Sequence, residues 1–459
     1  MKKKKFNFNG IVILFILLII VSISTYFIPG GAYERIEVNG RTMVDGGSYH
    51  IVESNPANFF DLFKSIPSGL QEASTLIIMI FLIGGAIKVI ESTGAIRAFI
   101  YLLRNKLGTN NDPIILIVIS LFFGSLGAFP GMLEAVIPFA PLCIGIAISL
   151  GYDMLVGISI SLVPIVVGWS AGVTNPWTTG IGQSIAELTM FSGLGFRFIG
   201  FVLFMVIAIA YTLRYANIIK NDPTKSILYN KDISHLNLEE DDDFAFTKNH
   251  LFVLIIFALT IVFIVYGSLK LNFNMIDMSA IYIIGGILSG LAYGYSPNEI
   301  TDEIIEGGSS MYVAAIAIGM ARGVSVLMTN SNIIDTVVHI TASILQGRSP
   351  YINAVGMFFM QTIINFFIPS GSGQAVVTLP VLIPVSDLVG LNRQIAILAF
   401  QYGDGFSNLM YPTVGALIAV LSYSKVTFTE WIKYIWKYML ITFVGCIIVL
   451  LIAVQINYS

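Results

Sequence analysis

The chain has 459 residues, of which 56% are apolar and only 11% are charged. Because a soluble domain carries about 25% charged residues, this composition excludes an ordinary soluble protein and predicts a polytopic all-α protein of the lipid bilayer. The net charge of −3 excludes nothing further, since the position of the cations decides the topology of such a protein.

The first half of the chain, residues 1–215, begins with a predicted transmembrane helix. Lys2 to Lys5 precede a long apolar run, and this pattern indicates a cytoplasmic N-terminus in the plasma membrane. Residues 30–73 are polar and contain Gly-rich turns, with a short amphipathic piece at 59–64 that we expect on the outer interface. A second transmembrane helix is predicted over residues 75–93.

A hairpin is predicted over residues 113–150, because two apolar arms meet at Pro130-Gly131. Each arm is short for a crossing of ~20 residues. A re-entrant hairpin that enters and leaves on the cytoplasmic side is therefore expected, with two full crossings as the alternative. A broken span over residues 154–190 and a helix over 196–215 complete this half.

The second half, residues 250–459, repeats the scheme after a predicted cytoplasmic linker over 216–249. The linker holds an acidic run, Glu239 to Asp243, which we interpret as solvated chain. Threading the first hairpin inside and the second outside places most lysines and arginines in the cytoplasm and gives the halves opposite orientations. The predicted elements are helices near 250–271, 275–296 and 310–328, a hairpin over 352–389, a broken span over 394–423 and a last helix over 430–455.

Polar segments with glycine and proline interrupt the two hairpins and the two broken spans. In hydrocarbon, irregular backbone survives only where it is buried in protein or lines a wet cavity, so each break is a candidate binding site. Paired breaks at corresponding places in two halves are typical of transporters built from inverted repeats. The breaks are 128–135, 168–180, 369–374 and 403–408 leading to 413, and Gly168, Thr178 and Gly180 align without a gap with Gly403, Thr413 and Gly415.

Several classes of protein lack support in the sequence. The two cysteines lie in apolar runs and the four histidines are scattered, so neither a disulfide framework nor a metal-ligand spacing is indicated. The chain contains neither a Walker loop nor a dinucleotide fingerprint. We therefore expect no enzyme activity, no cofactor, no nucleic-acid partner and no transport driven by ATP hydrolysis in this chain.

Three motifs resemble those of a known family. They are Gly-Val-Thr-Asn-Pro at 172–176, Ile-Pro-Ser-Gly-Ser-Gly-Gln-Ala at 368–375 and Gln-Tyr-Gly-Asp-Gly-Phe-Ser-Asn at 401–408. Together with the paired broken hairpins they resemble the YfcC family, which is related to the anaerobic C4-dicarboxylate carriers of the ion transporter superfamily. The resemblance implies a homodimer in which a transport domain of hairpins and broken helices moves like an elevator against a scaffold domain.

The hairpin tips differ from those of related sodium-coupled carriers. Those carriers have a Ser-Asn-Thr signature at both tips, whereas the tips here read Pro-Gly-Met-Leu-Glu at 130–134 and Pro-Ser-Gly-Ser-Gly at 369–373. Sodium at the hairpin tips, with ligands unspecified, and a proton therefore both stay open as the coupling ion.

Asp404 and Glu134 are the strongest candidates for binding a substrate or an ion, because a carboxylate at bilayer depth must be paired, hydrated or protonated. Each can bind a proton, a sodium ion or the cationic group of a substrate, or else cap backbone amides. Hydroxyls and amides at the breaks can coordinate Na⁺ or bond a substrate carboxylate, or else only satisfy the broken backbone. The candidate substrate- and ion-binding residues are Glu134, Thr174, Asn175, Thr178, Ser370, Ser372, Gln374, Thr378, Asp404, Ser407, Asn408 and Thr413.

The sequence does not decide the roles of three larger side chains. Trp177 either lines the binding site or lies at the membrane interface. Lys88 and Arg322 are cations inside apolar helices. They either meet substrate carboxylates, reach toward an interface or bond to the adjacent domain.

The function expected from these patterns is secondary active transport of a small charged metabolite, by exchange or ion coupling. Two inward carboxylates, Glu134 and Asp404, that face hydroxyls and amides suit an amino acid, whose amine and carboxylate need opposite partners. A basic amino acid of the arginine–ornithine type is therefore favoured. A C4-dicarboxylate is the alternative, although it requires additional cations at the site. A channel requires a continuous polar lining, whereas the polar residues here cluster at the breaks.

Overall fold

The computed structural model describes residues 10–38, 41–95, 98, 112–232, 246–271, 273, 275–345 and 347–459. The predicted features at Lys2 to Lys5 and at Glu239 to Asp243 lie outside these ranges. The described chain is almost entirely helical. Helices of the first half are α1 (Gly10–Ser24), α2 (Phe59–Glu72), α3 (Ser74–Ser92), α4 (Asp112–Ala128), α5 (Val136–Ser149), α6 (Met154–Ala171), α7 (Ile181–Ile185) and α8 (Leu194–Asn221).

The second half continues with ten helices in its described part. They are α9 (Lys248–Lys270), α10 (Met275–Tyr293), α11 (Pro297–Ser310), α12 (Tyr312–Asn330), α13 (Ile334–Leu345), α14 (Pro350–Phe367), α15 (Gly371–Leu388), α16 (Arg393–Ser407), α17 (Gly415–Tyr423) and α18 (Phe428–Gln455). Short 3₁₀ turns occur at Leu133–Ala135 and Pro223–Lys225, and a π turn at Pro176–Gly180.

Five helices in the described part of the chain are long and apolar enough to cross a membrane. A sixth span results if Pro297–Ser310 and Ala315–Asn330, which meet at 43°, are counted together. The expectation of a multi-pass membrane protein is confirmed. The five are Ser74–Ser92, Met154–Ile185, Leu194–Asn221, Ile276–Tyr293 and Phe428–Gln455.

Several helices begin at a polar residue that caps free backbone amides. Asn58 and Asp61 form a reciprocal capping box at the start of α2, and Ser296 and Glu299 do the same for α11. Each such cap stabilises a helix start by about 1 kcal/mol. Both α2 and α11 are amphipathic, and each is followed by an apolar helix. A single non-helical residue joins each pair: Ala73 lies between α2 and α3, and Met311 between α11 and α12.

Four short strands lie between Gly31 and Ile51, where the sequence analysis predicted only polar turns. β1 (Gly31–Ala32) pairs with β4 (His50–Ile51), and β2 (Arg35–Val38) pairs with β3 (Arg41–Val44), both antiparallel. The segment lies on α13, where the Tyr33 amide donates to Asp335 at 3.0 Å and Arg35 forms an ion pair with the same carboxylate. The amphipathic piece at 59–64 is the start of α2, which packs along α12.

The helices pack in two groups that meet at α17, between α3 and α5, and where β3 lies on α15. In the first group α2 and α1 lie on α12, while α10 and α11 lie on α3. In the second group the hairpin arms α4 and α5 pack on α6, the arms α14 and α15 pack on α16, and α6 packs directly on α16. Helix α17 contacts both α12 and α5, and α7 contacts α15. The second group therefore places all four breaks close to one another.

Two predicted breaks begin later than expected. Helix α16 continues through Gly403 and Asp404 to Ser407, so only residues 408–414 are unwound, and α6 likewise continues through Gly168 to Ala171. The glycines serve close packing instead of unwinding. A Cβ at Gly168 would lie 2.0 Å from the Gly124 carbonyl oxygen of α4, and one at Gly403 would lie 2.6 Å from the Phe358 carbonyl oxygen of α14.

Candidate functional site

Asp404 lies at the contact between the two broken spans. Its side chain is only 1% exposed and stands in the last turn of α16. The indole Nε1 of Trp169 on α6 donates to its Oδ2 at 2.9 Å, whereas Oδ1 has no hydrogen-bond partner in the described structure. One carboxylate oxygen is thus fixed by Trp169, and the other is buried with its hydrogen-bonding capacity unused.

The second hairpin tip closes over Asp404. Ser370 caps α15 by accepting the Gly373 amide at 3.3 Å. A Cβ at Gly371 would lie 2.7 Å from Cγ2 of Thr178, 2.8 Å from the Trp169 ring and 3.2 Å from Oδ2 of Asp404. The tip therefore touches residues of both halves at the same point, and only a residue without a side chain fits there.

The first-half break supplies Asn175 and Thr178. Asn175 Oδ1 accepts the amides of Trp177 and Thr178 at 2.9 and 3.3 Å, while its Nδ2 is buried without a partner in the described chain. Gln401 Nε2 on α16 donates to the Thr178 hydroxyl at 3.2 Å and also to that of Thr179. These bonds join the break of one half to the helix that carries Asp404.

The first hairpin tip lies against the same break. Gly131 has φ +66°, and a Cβ there would lie 2.2 Å from Asn175 Oδ1. The Thr174 amide donates to the Ala128 carbonyl at 3.0 Å, and its hydroxyl to the Phe129 carbonyl at 3.3 Å. Thr174 therefore satisfies the broken backbone, which was the alternative to ligand binding.

Glu134 stands apart from Asp404. It lies in the 3₁₀ turn after the first tip and is partly buried. Among the described residues, no hydrogen bond or ion pair joins its carboxylate to another side chain, Asp404 included. The structure thus places Glu134 at the first hairpin and Asp404 on the second broken span, and it brings only Asp404 to the contact between the halves.

Asn365 on α14 is a site residue that the sequence-based reading missed. Its Nδ2 faces the Asp404 carbonyl at 2.8 Å, Ser407 Oγ at 2.7 Å and Asn408 Oδ1 at 2.8 Å. An amide group has two hydrogens and cannot donate to three acceptors at once. Its Oδ1 is buried and unpartnered in the described structure. Converging oxygens of this kind can hold a cation such as Na⁺ if the amide turns its oxygen inward.

Gln374 and Thr378 bond mainly within the second hairpin. Gln374 Nε2 donates to the Gln361 side-chain oxygen at 2.6 Å, and Gln361 Nε2 donates to the Thr378 hydroxyl at 2.9 Å. These bonds lock α14 onto α15. Ser372 makes no hydrogen bond among the described residues, and Thr413 has a buried hydroxyl without a partner there. Both remain able to bond a ligand.

The two membrane cations lie away from Asp404. Lys88 forms an ion pair with Glu306 of α11 at 3.1 Å, and Arg322 Nε with Glu72 of α2 at 2.9 Å. Both therefore bond the neighbouring helix of their own packing group, and not the adjacent domain that the sequence analysis offered as an alternative. Trp177 is 50% exposed.

Gln361 and Asn365 had a recognisable signal in the sequence. They are two amides four residues apart in an otherwise apolar helix, so both lie on one face. Trp169 lies in the predicted break 168–180 and Gln401 in the motif at 401–408. Neither was selected as a site residue, because the partner of each lies on the other broken span.

The chain matches a known family over nearly its whole length. Residues 9–455 match the family model DcuC, described as "C4-dicarboxylate anaerobic carrier". The chain is 28% identical over 466 residues to "Putative basic amino acid antiporter YfcC" of Escherichia coli (strain K12), which covers 93% of this chain and 92% of that protein. It is also 25% identical over 507 residues to an uncharacterized protein of Haemophilus influenzae (strain ATCC 51907 / DSM 11121 / KW20 / Rd), at 99% and 98% coverage.

Among solved structures, Neisseria gonorrhoeae MtrF is similar to this chain. The TM-score is 0.44 and the sequence identity is 16%, over 98% of this chain and 96% of that chain.

The resemblance to the YfcC family expected from the three motifs is confirmed by the match to the Escherichia coli protein YfcC. Both the family and the named relative are membrane carriers, and several helices of this chain are long enough to cross a bilayer. The protein is therefore a multi-pass membrane transporter, and it belongs to the DcuC family, the C4-dicarboxylate anaerobic carriers.

Proposed function

We propose that the protein is a secondary active exchanger of basic amino acids of the arginine–ornithine type. The observation that carries this proposal is the buried Asp404 carboxylate, with one oxygen held by Trp169 and the other without a partner in the described chain. A carboxylate in that position requires a positive charge or a proton. The guanidinium or ammonium group of the substrate supplies that charge at Oδ1.

The carboxylate of the substrate is proposed to bind at the start of α15. The first amides of a helix lack partners inside the helix and favour anions. Ser370 caps the Gly373 amide, which leaves the amides of Gly371 and Ser372 for a ligand. The hydroxyls of Ser372 and Thr413 can add hydrogen bonds. An amino acid would thus meet an anion at its cationic end and amide donors at its carboxylate end.

The proposed architecture is two inverted membrane repeats, residues 1–215 and 250–459, joined by a cytoplasmic linker. The linker predicted over 216–249 is shorter than expected, because α8 continues to Asn221 and α9 begins at Lys248. Reciprocal packing supports it: α2 lies on α12 as α11 lies on α3, and α5 contacts α17 as α15 contacts α7. Gly168 and Gly403 also play the same packing role in their halves. The N-terminus is proposed to be cytoplasmic, with the first hairpin opening inward and the second outward.

The proposed motion is an elevator in a homodimer. The hairpins and broken spans form the moving group, and α2, α3, α11 and α12 belong to the fixed group. Dense packing inside each group supports this division, whereas contacts between the groups lie at α17, between α3 and α5, and between β3 and α15. The family resemblance supports the dimer.

A sodium ion is proposed as the coupling ion at Asn365. The Asp404 carbonyl, Ser407 Oγ and Asn408 Oδ1 converge on one point, and the Asn365 amide oxygen completes the set after rotation of the amide. Oxygen donors suit a hard cation. Coupling to a proton at Asp404 is the alternative, and it predicts a dependence on pH instead of sodium.

Transport of a C4-dicarboxylate is the second candidate function, because the family model carries that description. Such a substrate needs two positive partners. Lys88 and Arg322 are already paired with Glu306 and Glu72, and no lysine or arginine of the described chain is paired with Asp404. The lack of available cations at this site favours a basic amino acid.

Counterflow in proteoliposomes tests the proposal. Vesicles loaded with ornithine are expected to take up labelled arginine saturably, and loading with succinate should have no effect. Asp404→Asn is expected to abolish the uptake, whereas Asp387→Asn, which changes an exposed carboxylate at the end of α15, should retain it. Uptake driven only by dicarboxylates would support the second candidate, and flux that does not saturate would indicate a channel.

A further inference from the structure

Arg197, in the first turn of α8, has no exposed surface. Its Nη2 donates to Gln394 Oε1 at 3.1 Å, and the Tyr458 hydroxyl lies close to the guanidinium. Its Nε and Nη1 have no hydrogen-bond partner in the described structure. A guanidinium carries five N–H donors, so most of them lack an acceptor here.

No carboxylate of the described chain neutralises Arg197. The acidic residues near Gln394 are Asp387 and Glu187, and both are bound by Arg393 at 2.7 and 3.3 Å at the surface. The groups that face Arg197 are the uncharged side chains of Gln394, Tyr402 and Tyr458. A cation buried without a counter-charge is strongly unfavourable in an apolar interior.

A second unpartnered donor lies beside Arg197. The Tyr402 hydroxyl on α16 is fully buried and has no partner among the described residues. A Cβ at Gly200 would lie 2.7 Å from this hydroxyl. Because Gly200 follows Arg197 by three residues on α8, both lie on the same helix face. Unpartnered donors from α8 and α16 thus lie at the contact between these two helices, where an acceptor of negative charge is missing.

We propose that a small monovalent anion, of the size of chloride, binds between Arg197 and the Tyr402 hydroxyl. The anion supplies both the missing charge and the missing acceptor, and it joins α8 to α16. Tyr402 precedes Asp404 by two residues on α16, so the two side chains point to different faces of the helix. Tyr402 points to Gly200 of α8 and Asp404 to Trp169 of α6. The anion site is therefore distinct from the proposed substrate site and does not depend on it.

Chloride binding to the purified full-length protein tests the proposal. In detergent and gluconate buffer, chloride is added at constant ionic strength while thermal unfolding and binding of radiolabelled chloride are measured. We expect one saturable site per chain and a rise in Tm of about 3 °C at 100 times the Kd. Arg197→Met is expected to lose both effects, and Arg393→Met, which removes a surface cation at the same end, should retain both.

Chloride binding to the wild-type protein still tests the anion site if Arg197→Met does not fold. Arg197→Lys retains the charge with a different shape and is expected to bind chloride more weakly, with a higher Kd. Saturable binding in the wild type, lost in Arg197→Met and kept in Arg393→Met, would support the anion site. Absence of saturable chloride binding to the wild type, or equal binding by Arg197→Met, would overturn it.

Discussion

Substituting Gly371 by alanine should hold the second hairpin tip away from Asp404. The added Cβ would lie 2.7 Å from Thr178 Cγ2 and 2.8 Å from the Trp169 ring, both shorter than real Cβ contacts. Overpacking of this kind costs about 1–3 kcal/mol, and alanine in a helix returns about 0.5 kcal/mol. The closed arrangement should thus be destabilised by about 0.5–2.5 kcal/mol, a factor of about 2 to 70.

The assay is initial-rate uptake of arginine into proteoliposomes, with the amount of inserted protein measured in parallel. If transport passes through the closed arrangement, Gly371→Ala should lower kcat by that factor. Gly195→Ala is the matched control, because a Cβ at Gly195 in the first turn of α8 meets no atom within 4 Å. Wild-type kinetics and wild-type thermal stability in Gly371→Ala would refute the contact between the tip and Asp404.

Three further predictions concern Trp169, Asn365 and Gly168. Trp169→Phe removes the 2.9 Å hydrogen bond to Asp404 and should lower kcat/KM about 10-fold or more, since bonds to charged groups contribute about 1.5–3 kcal/mol; unchanged uptake kinetics would contradict this role. Asn365→Leu should remove the dependence of uptake on sodium while Tm changes little; sodium dependence equal to that of the wild type would rule out the proposed cation site. Gly168→Ala places a Cβ 2.0 Å from a carbonyl of α4 and should lower the stability by about 2–3 kcal/mol, which thermal unfolding in detergent measures; a wild-type Tm would contradict the close helix crossing.

The places of the hairpin tips could be predicted from the sequence because proline and glycine act locally. Pro130-Gly131 and Pro369 to Ser370 interrupt the helices where expected. At Gly403 and Gly168 the same reasoning was wrong, because a glycine inside a membrane helix also permits close approach of a second helix. Only the three-dimensional contact of Gly403 with α14 distinguishes these two roles.

The composition of the site could be predicted only in part. A carboxylate at bilayer depth stands out in any apolar sequence, so Asp404 was identified. Its hydrogen-bond partner Trp169 lies 235 residues earlier and resembles any other membrane tryptophan. Glu134 had the same sequence signal as Asp404, yet its turn lies at the other hairpin. Long-range packing, which no local pattern encodes, decides which of these polar residues meet.

The strands at residues 31–51 were missed for a related reason. Each strand has only two to four residues, too few for an alternating pattern to be recognised. Their position depends on contacts with α13, including the ion pair between Arg35 and Asp335.

Equilibrium binding of labelled arginine to the purified protein tests the role of Asp404 most directly, since it requires neither a gradient nor a transport cycle. The wild type and Asp387→Asn should bind arginine saturably, with displacement by ornithine and not by succinate, and Asp404→Asn should show no saturable binding. Equal arginine binding by Asp404→Asn, or displacement by succinate alone, would contradict a cationic substrate held by the buried carboxylate.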